Sequence, residues 1–269
     1  MPDLQETSGS DGIEIPEGLD LPAEASSVEA ERFERKQKLA GALRIFGRFG
    51  FAEGVAGHIT ARDPELTDHF WVNPFGKSFR QMKMSDLILV SHSGDVVEGS
   101  GALNTAAFAI HSQIHEARPD VIAAAHSHSL YGKTFSSLAG KTIDPISQDA
   151  CMFYNDVALC ADSGGAIVVD TESGAALARA LGDNKAVVHQ NHGIITVGQS
   201  VDEAAWWFVA LERACQSQLL AESVGTPTLI PHESAQFSYD QSGHSLAGWF
   251  QFQPLWEDLM VETTEFIDE

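Results

Sequence analysis

The sequence lacks long apolar runs, and cysteines are few. No stretch of 18 or more apolar residues occurs among the 269 residues, so we expect no membrane-spanning helix. The three cysteines, Cys151, Cys160 and Cys215, form no C-x-x-C pair, which is typical of a protein from a reducing compartment. The first residues contain neither the basic nor the apolar segment of a secretory signal, so we expect a cytoplasmic protein.

Basic residues are scarce, especially near the two ends. Lys and Arg number 16 against 38 Asp and Glu, which gives a net charge of −22. Nine acidic and no basic residues lie between Asp3 and Glu31, and no basic residue follows Arg213. We therefore expect residues 1–27 to form a flexible acidic arm. A chain this acidic repels nucleic acid and anionic membranes, so we expect neither as a partner.

Several common catalytic motifs are also missing. The sequence contains no G-x-S-x-G nucleophile elbow, and its Gly-rich segments lack the spacing of G-x-G-x-x-G or of a phosphate-binding P-loop. These absences disfavour a serine hydrolase, a dinucleotide-dependent enzyme and a P-loop NTPase.

Helical patterns alternate with short apolar strands along the chain. Helices are predicted at 28–51, with Ser27 as the N-cap, and at 105–118, 173–182 and 201–222. Strands are predicted at 69–74, 87–91, 121–128, 166–170, 186–190 and 194–198, and residues 140–164 are turn-rich. The alternation favours one three-layer α/β domain over 28–235. Residues 236–269 are expected to form an acidic, aromatic tail that packs on this domain or on a neighbouring subunit.

Three histidines form a candidate metal site. His126 and His128 stand two residues apart at the end of an apolar strand, so their rings leave the same face. His192 follows a second apolar strand and precedes Gly193 at a turn, which makes it the natural third ligand. Three imidazoles suit zinc, iron or manganese. Strand-end histidines can also serve only as donors to backbone groups, and the residues alone leave this alternative open.

Four segments resemble the class II aldolase/adducin family. They are VAGHITAR (55–62), VNPFGKSFRQMKMSDLILVSHSGDVVEG (72–99), RPDVIAAAHSHSLYG (118–132) and LGDNKAVVHQNHGIITVGQSVDEAAWW (181–207). The resemblance implies a three-layer α/β/α sandwich with a metal ion on His126, His128 and His192. It also implies a homo-oligomer, since members of the family are often tetramers with active sites at subunit contacts.

The chain departs from the sugar-phosphate aldolases of this family at two places. Those enzymes carry an acid/base Glu four residues before a helix histidine, and the matching position before His111 is Ala107. Their phosphate cradle of Asn, Ser-Gly and Ser-Ser is matched here by His58, Phe75-Gly76 and Thr105-Ala106. A phosphate dianion needs several donors, so a phosphorylated sugar is not the expected substrate.

A three-histidine site without a carboxylate ligand leaves coordination positions for a chelating 2-oxo acid and for dioxygen. In this it resembles one branch of the fold, the non-haem Fe(II) oxygenases of aminocoumarin antibiotic biosynthesis. That resemblance implies oxidative decarboxylation of a prenylated 4-hydroxyphenylpyruvate, through the mandelate, to 3-dimethylallyl-4-hydroxybenzoate. One alternative is a Zn(II)- or Mn(II)-dependent aldolase or decarboxylase with an unphosphorylated substrate. Another is a non-catalytic adducin-like scaffold, which would be expected to lose its ligand histidines.

Further residues are predicted around this site. Lys77 or Arg80 would hold the substrate carboxylate, while His58, Phe75 and Gly76 would contact the rest of the substrate. The predicted catalytic residues are Asp149, His111 and Tyr154. The predicted apolar walls are Phe75, Phe79, Phe153, Trp206 and Trp207. Each of these also has a purely structural interpretation as a turn residue, a surface charge or a core side chain.

Overall fold

A computed structural model describes residues 21–161 and 165–268 of the chain, so most of the predicted acidic arm lies outside the described residues. Its helices are α1 (Val28–Phe49), α2 (Thr105–Ala117), α3 (Leu130–Ser136), α4 (Thr171–Leu181), α5 (Val201–Val224), α6 (His232–Ser242) and α7 (Ser245–Glu262). Its strands are β1 (His58–Arg62), β2 (His69–Val72), β3 (Ile88–Ser91), β4 (Val96–Glu98), β5 (Ala123–Ser127), β6 (Val157–Cys160), β7 (Ala186–His189) and β8 (Gly193–Gly198). Among these residues no helix is both long and apolar enough to cross a membrane.

Short polar side chains start the main helices. Ser27 accepts a hydrogen bond from a backbone N–H of the first turn of α1, and Asn104, Asp170 and Ser200 do the same for α2, α4 and α5. Such caps satisfy N–H groups that have no partner inside the helix. The predicted caps Ser27 and Ser200 are both confirmed.

The strands form one eight-stranded sheet in the order β4-β3-β2-β1-β5-β8-β7-β6. Every neighbouring pair is antiparallel except β6 and β7, which run parallel. The central strands β5 and β8 end close to the predicted metal ligands, since β5 includes His126 and β8 begins directly after His192. The sheet therefore brings two distant parts of the sequence to one place.

Helices cover both faces of this sheet, which confirms the three-layer α/β/α sandwich. Successive side chains of β5 lie on opposite faces of the sheet. Ala124 belongs to one apolar cluster, while Ala123 and Ala125 belong to the other. Helices α2 and α4 pack on the first face, and α1, α5 and α7 pack on the second. His126 follows the parity of Ala124 and faces the side of α2.

Two local predictions differ from the structure. The apolar run 166–170 forms no strand, and Ile167 and Val169 are exposed. The strand at this edge of the sheet is instead β6, which lies within the segment expected to be turn-rich and pairs with β7.

In the C-terminal segment, α6 and α7 are regular helices, and α7 packs on α5 through Phe252 and Leu259, which are both buried.

Candidate metal centre

The three predicted ligands meet at one end of the sheet. The Nε2 atoms of His128 and His192 lie 3.0 Å apart, and those of His192 and His126 lie 3.2 Å apart. One ligand nitrogen from each ring lies within 4.8 Å of the other two, and among the described residues no other group of three or more His, Cys, Asp or Glu side chains is so arranged. The structure thus brings these three side chains together.

Local backbone geometry directs the rings inward. Asn191 adopts a left-handed conformation with φ 60°, which asparagine tolerates better than most residues, and this turn carries His192 toward β5. A Cβ atom at Gly193 would lie 3.4 Å from Cε1 of His126 and 3.3 Å from the Ser127 carbonyl oxygen, so glycine keeps the two strands close. The Nδ1 atom of His126 donates to the Ile194 carbonyl oxygen at 2.9 Å. That bond leaves the Nε2 lone pair free for a cation.

The spacing of the nitrogens fits a divalent ion. Two nitrogens at about 2.1 Å from one ion are about 3.0 Å apart when they subtend a right angle. The two short Nε2 separations match this value, so the rings suit three adjacent positions around an ion. When all three Nε2 atoms are deprotonated their lone pairs repel one another, and a divalent cation between them relieves this repulsion.

Burial keeps these imidazoles neutral, which is the form that binds metal. It lowers the pKa of His192 to about 4, with smaller contributions from His189 and His128. Burial also holds the pKa of His126 well below its ordinary value, and neighbouring histidines add to the effect. For His128, burial and the nearby Lys133 lower the pKa, while Glu53 acts in the opposite direction.

His58 and His111, both predicted from the sequence, lie beside the triad on the α2 side. His58 stands directly opposite His126 in the β1–β5 ladder, and the two ring centroids are 4.9 Å apart. Nδ1 of His58 is 2.6 Å from Nε2 of His111. The hydroxyl of Thr60 then joins His111 Nδ1 at 2.6 Å to His115 Nε2 at 2.9 Å. Sequence patterns gave no signal for Thr60 or His115, because their meeting depends on strand register and on helix placement.

The predicted carboxylate-binding residues already have partners. Lys77 pairs with Asp86 at 2.9 Å, and Nε of Arg80 donates to the Gly47 carbonyl oxygen at 2.9 Å. Phe75 is exposed, and Gly76 takes a positive φ of 83° in the loop after β2. The roles predicted for these four residues in substrate binding stay predictions.

The other two predicted catalytic residues, Asp149 and Tyr154, do not belong to the group of three histidines. Asp149 is exposed at the start of a 3-10 turn, and the hydroxyl of Tyr154 is 2.9 Å from Nδ1 of His232. Their catalytic roles stay predictions. Phe153 and Trp207 are 1% and 0% exposed and pack in the core on the face away from His126. The prediction that these two aromatic rings line an open pocket is therefore wrong, because they have no free surface.

The structure adds two features that the sequence did not indicate. Glu212 of α5 is buried and accepts hydrogen bonds from the Ser129 hydroxyl at 2.6 Å and from the backbone N–H groups of Tyr131 and Gly132 at 2.8 and 2.6 Å. It thereby fixes the turn that directly follows His128. Lys133, on the first turns of α3, pairs with Glu53 and lies close enough to influence the pKa of His128.

Comparison with known proteins agrees with this geometry. Residues 37–219 match the model of the Class II Aldolase and Adducin N-terminal domain family. The chain belongs to the class II aldolase and adducin family. The resemblance drawn from the four sequence segments is thus confirmed, and the histidine triad occupies the family's matched region.

Two curated proteins are similar over nearly the whole chain. The decarboxylase NovR of Streptomyces niveus is 42% identical over 256 residues, which cover 94% of this chain and 92% of NovR. The 4-hydroxy-3-prenylphenylpyruvate oxygenase/4-hydroxy-3-prenylbenzoate synthase of Streptomyces roseochromogenus subsp. oscitans is 41% identical over 264 residues, covering 97% and 92%. Together with the family match, these relatives support an enzymatic role.

A solved structure supports the fold. The L-fuculose 1-phosphate aldolase from Glaciozyma antarctica PI12 superposes with a TM-score of 0.85 and 46% sequence identity. The superposition covers 92% of this chain and 97% of that structure.

Proposed function

We propose that the chain is a non-haem Fe(II)-dependent oxygenase that decarboxylates an aryl 2-oxo acid oxidatively. The proposed substrate class is a prenylated 4-hydroxyphenylpyruvate, which would be converted through the mandelate to 3-dimethylallyl-4-hydroxybenzoate. The observation that carries the proposal is a three-histidine group with ligand spacing and no carboxylate in the group.

The missing carboxylate disfavours a retro-aldol reaction. The position where the family's sugar-phosphate aldolases carry a Glu is Ala107, which is fully buried in an apolar cluster with Phe70 and Val90. An alanine has no proton to transfer and no lone pair for a metal. A neutral ligand set instead favours an anionic substrate, since three imidazoles leave the +2 charge of the ion uncompensated.

The names of the two curated relatives support the same chemistry. One is called a decarboxylase and the other a prenylphenylpyruvate oxygenase and prenylbenzoate synthase, and both resemble this chain along nearly its full length. The similarity to these two relatives extends beyond residues 37–219, the segment that matches the family model, into the C-terminal helices. Similarity over nearly the whole chain supports a shared reaction rather than a shared fold and metal site alone.

Each group of the site has a defined role in this proposal. Fe(II) at this site would supply open coordination positions for a chelating 2-oxo acid and for dioxygen. The ligands would be His126, His128 and His192, whose imidazoles are kept in the neutral, metal-binding form by burial. Lys133, next to His128, would counter the negative charge of the incoming carboxylate.

The overall reaction balances as two oxidations. In the first, the arylpyruvate and one dioxygen give the mandelate and one carbon dioxide. In the second, the mandelate and one dioxygen give the benzoate, one carbon dioxide and one water. The substrate carbons are oxidised and dioxygen is reduced, so no further reductant is needed.

Anaerobic purification followed by metal analysis tests the proposal. We expect stoichiometric iron and oxygen uptake with 4-hydroxy-3-prenylphenylpyruvate. The variant His126→Ala should lose iron and reduce turnover at least about 100-fold, because one of three ligands is gone. The control is His69→Gln. His69 is the first residue of β2 and forms a hydrogen bond with the Asp68 carboxylate, so this variant should keep both iron and activity. Full activity of metal-depleted protein, or of His126→Ala, would overturn the proposal.

A zinc- or manganese-dependent aldolase is the second candidate, and the 46% identical structure named as an L-fuculose 1-phosphate aldolase favours it. The same preparation separates the two candidates. Turnover of an aldol substrate without oxygen, by protein loaded with Zn(II) or Mn(II), would support the aldolase and not the oxygenase.

A further inference from the structure

The end of the chain returns to the connection between β2 and β3. The C-terminal segment, residues 263–268, follows α7 and lies outside 37–219, the part that matches the family model. It meets the 79–86 loop, which contains two short 3-10 turns, Phe79–Gln81 and Met84–Asp86. A part of the chain beyond the family's common domain therefore contacts a loop inside that domain.

Hydrogen bonds fasten the C-terminal segment to two successive residues of the loop. The backbone N–H of Met84 donates to the Phe266 carbonyl oxygen at 2.9 Å. The backbone N–H and the hydroxyl of Ser85 both donate to the Asp268 carboxylate, at 3.0 and 2.8 Å, and Lys83 Nζ lies 3.5 Å from it. Burial would raise the pKa of Asp268, but the hydrogen bonds from Ser85 and the charge of Lys83 hold it below the ordinary value. The carboxylate is therefore ionised at neutral pH.

The ring of Phe266 anchors the segment in the core. It is 0% exposed and lies edge to face with Trp256, with the ring centroids 5.8 Å apart. The guanidinium of Arg44 lies 5.5 Å from the centroid of the same ring, and Nε of Arg44 donates to the Met82 carbonyl oxygen at 2.7 Å. Helix α1 and the C-terminal segment thus hold the 79–86 loop together.

The same loop reaches the metal centre through Phe79, whose side chain is buried. A Cβ atom at Gly57 would lie 3.1 Å from Cζ of Phe79 and 3.4 Å from the carbonyl oxygen of His126. The backbone of Gly57 is therefore close to both, and β1 begins directly after it with His58. A shift of the Phe79 ring would displace the start of β1 relative to β5.

We propose that Phe266 and Asp268 are positioning residues of the metal centre, which act through the 79–86 loop and the ring of Phe79. Chains of packed side chains and hydrogen bonds carry this kind of coupling between separated sites. The segment holds the loop, the loop holds Phe79 against Gly57, and Gly57 sets where β1 stands beside His126.

The loop also contains the ion-pair partner of Lys77. The Asp86 carboxylate lies 2.9 Å from Lys77 Nζ and accepts the backbone N–H of Lys83 at 2.9 Å. Because Asp86 directly follows Ser85, the C-terminal segment also influences the position of Lys77, a predicted carboxylate-binding residue. This consequence for the 2-oxo acid rests on the proposed function. We expect Asp268→Asn to raise KM for the 2-oxo acid more than it lowers kcat.

Metal affinity tests the path from the segment to the centre. Phe266→Leu removes the ring but stays apolar, and Asp268→Asn removes the charge but keeps the shape. Each should weaken Zn(II) binding about 3- to 30-fold in a competition with a chelator. Phe79→Leu should cause a loss of the same size. Its combination with Phe266→Leu should add little, because both substitutions act through the same ring.

Two matched controls separate this role from a general loss of stability. Phe252 is also fully buried but packs on α5, so Phe252→Leu should lower the free energy of unfolding and leave Zn(II) affinity unchanged. Asp120 pairs with Arg118 before β5, at the end away from His126, so Asp120→Asn should also leave it unchanged. Equal losses of affinity in Phe266→Leu and Phe252→Leu would overturn the proposal.

Hydrogen exchange of the metal-free protein tests the same path without a catalytic assay. We expect Asp268→Asn to speed amide exchange in 79–86 and in β1 and to leave exchange in α4 unchanged. Unchanged exchange in β1 would contradict a path through Phe79. If the wild-type protein shows no oxygenase activity, the proposed function fails, while the Zn(II) affinities and the exchange rates still decide the role of the C-terminal segment.

Discussion

At the scale of single residues, Asp63 shows how a buried charge is stabilised outside the metal centre. Its carboxylate is fully buried and accepts five hydrogen bonds: two from Arg32 and one each from Trp71 and the backbone of Glu65 and Leu66. Burial alone would raise the pKa of Asp63, but these hydrogen bonds outweigh it and hold the pKa well below the ordinary value. The ionised form therefore belongs to the native state.

The variant Asp63→Asn should reduce the free energy of unfolding by about 2–3 kcal/mol at pH 7, because a charge-assisted hydrogen-bond acceptor is lost. The stabilisation is complete above the ordinary aspartate pKa of 3.8 and is lost as the pH falls below it, since only the unfolded carboxyl takes up a proton there. Urea unfolding at pH 7 and pH 3 measures both effects.

Glu65→Gln is the control for this carboxylate. Glu65 binds the same guanidinium from the exposed side, so its loss should cost less than about 1 kcal/mol. Equal effects of the two substitutions would show that burial of the Asp63 carboxylate contributes nothing of its own.

The sequence predicts the candidate metal ligands because their grouping depends on local patterns. His126 and His128 share a face through the period of two in a strand, and the Asn191-His192-Gly193 turn marks a strand end. The hydrogen-bond chain through His58 and Thr60 is not predictable in this way. It requires the register that sets His58 opposite His126 and the docking of α2 on β1, and both are non-local.

At the scale of secondary-structure elements, sequence patterns predict most helices and strands, and they fail where pairing decides. Residues 166–170 have a strand-like composition but find no partner strand, whereas β6 pairs with the open edge of β7. The backbone N–H of Lys185 donates to the Asp156 carboxylate at 2.8 Å, which ties the start of β7 to the residue before β6. Tertiary contacts of this kind override intrinsic propensity.

The short helix α3 depends on a side chain from another helix. Glu212→Gln should leave one of three donors at the start of α3 without an acceptor and so shift the turn after His128. We expect metal affinity to fall about 10- to 100-fold, as is usual when a group that orients a ligand is lost. Competition with a metal chelator measures this change.

Glu203→Gln is the matched variant on the same helix. Glu203 is also buried, but it bonds Trp207 and the backbone of Gln199, which lie away from the ligands. It should reduce stability and leave metal affinity unchanged. If both variants lost metal affinity to the same extent, a general loosening of α5 would explain the effect better than the position of His128.

At the scale of the whole molecule, buried neutral histidines make stability depend on pH. Burial lowers the pKa of His111 and His115 well below 6.5 in the folded chain, while in the unfolded chain both titrate near that value. Below pH 6.5 the unfolded state therefore binds more protons than the native state. Stability must decrease as the pH falls from about 6.5.

We expect each such histidine to contribute up to about 1.4 kcal/mol of lost stability per pH unit between pH 6.5 and 5. Urea unfolding of the metal-free protein across this range measures the slope. His115→Gln should flatten it by one proton, and an unchanged slope would show that His115 is protonated in the native state as well.

The pairing of β1 with β5 also restricts how this gene can change in length. Gain or loss of one codon within either strand would turn His58 or His126 to the opposite side of the sheet, because successive side chains alternate. Point substitutions can be absorbed one at a time, but such insertions and deletions abolish the centre at once. We therefore expect natural length variation to collect in the loops next to the edge strand β4, far along the sheet order from β5.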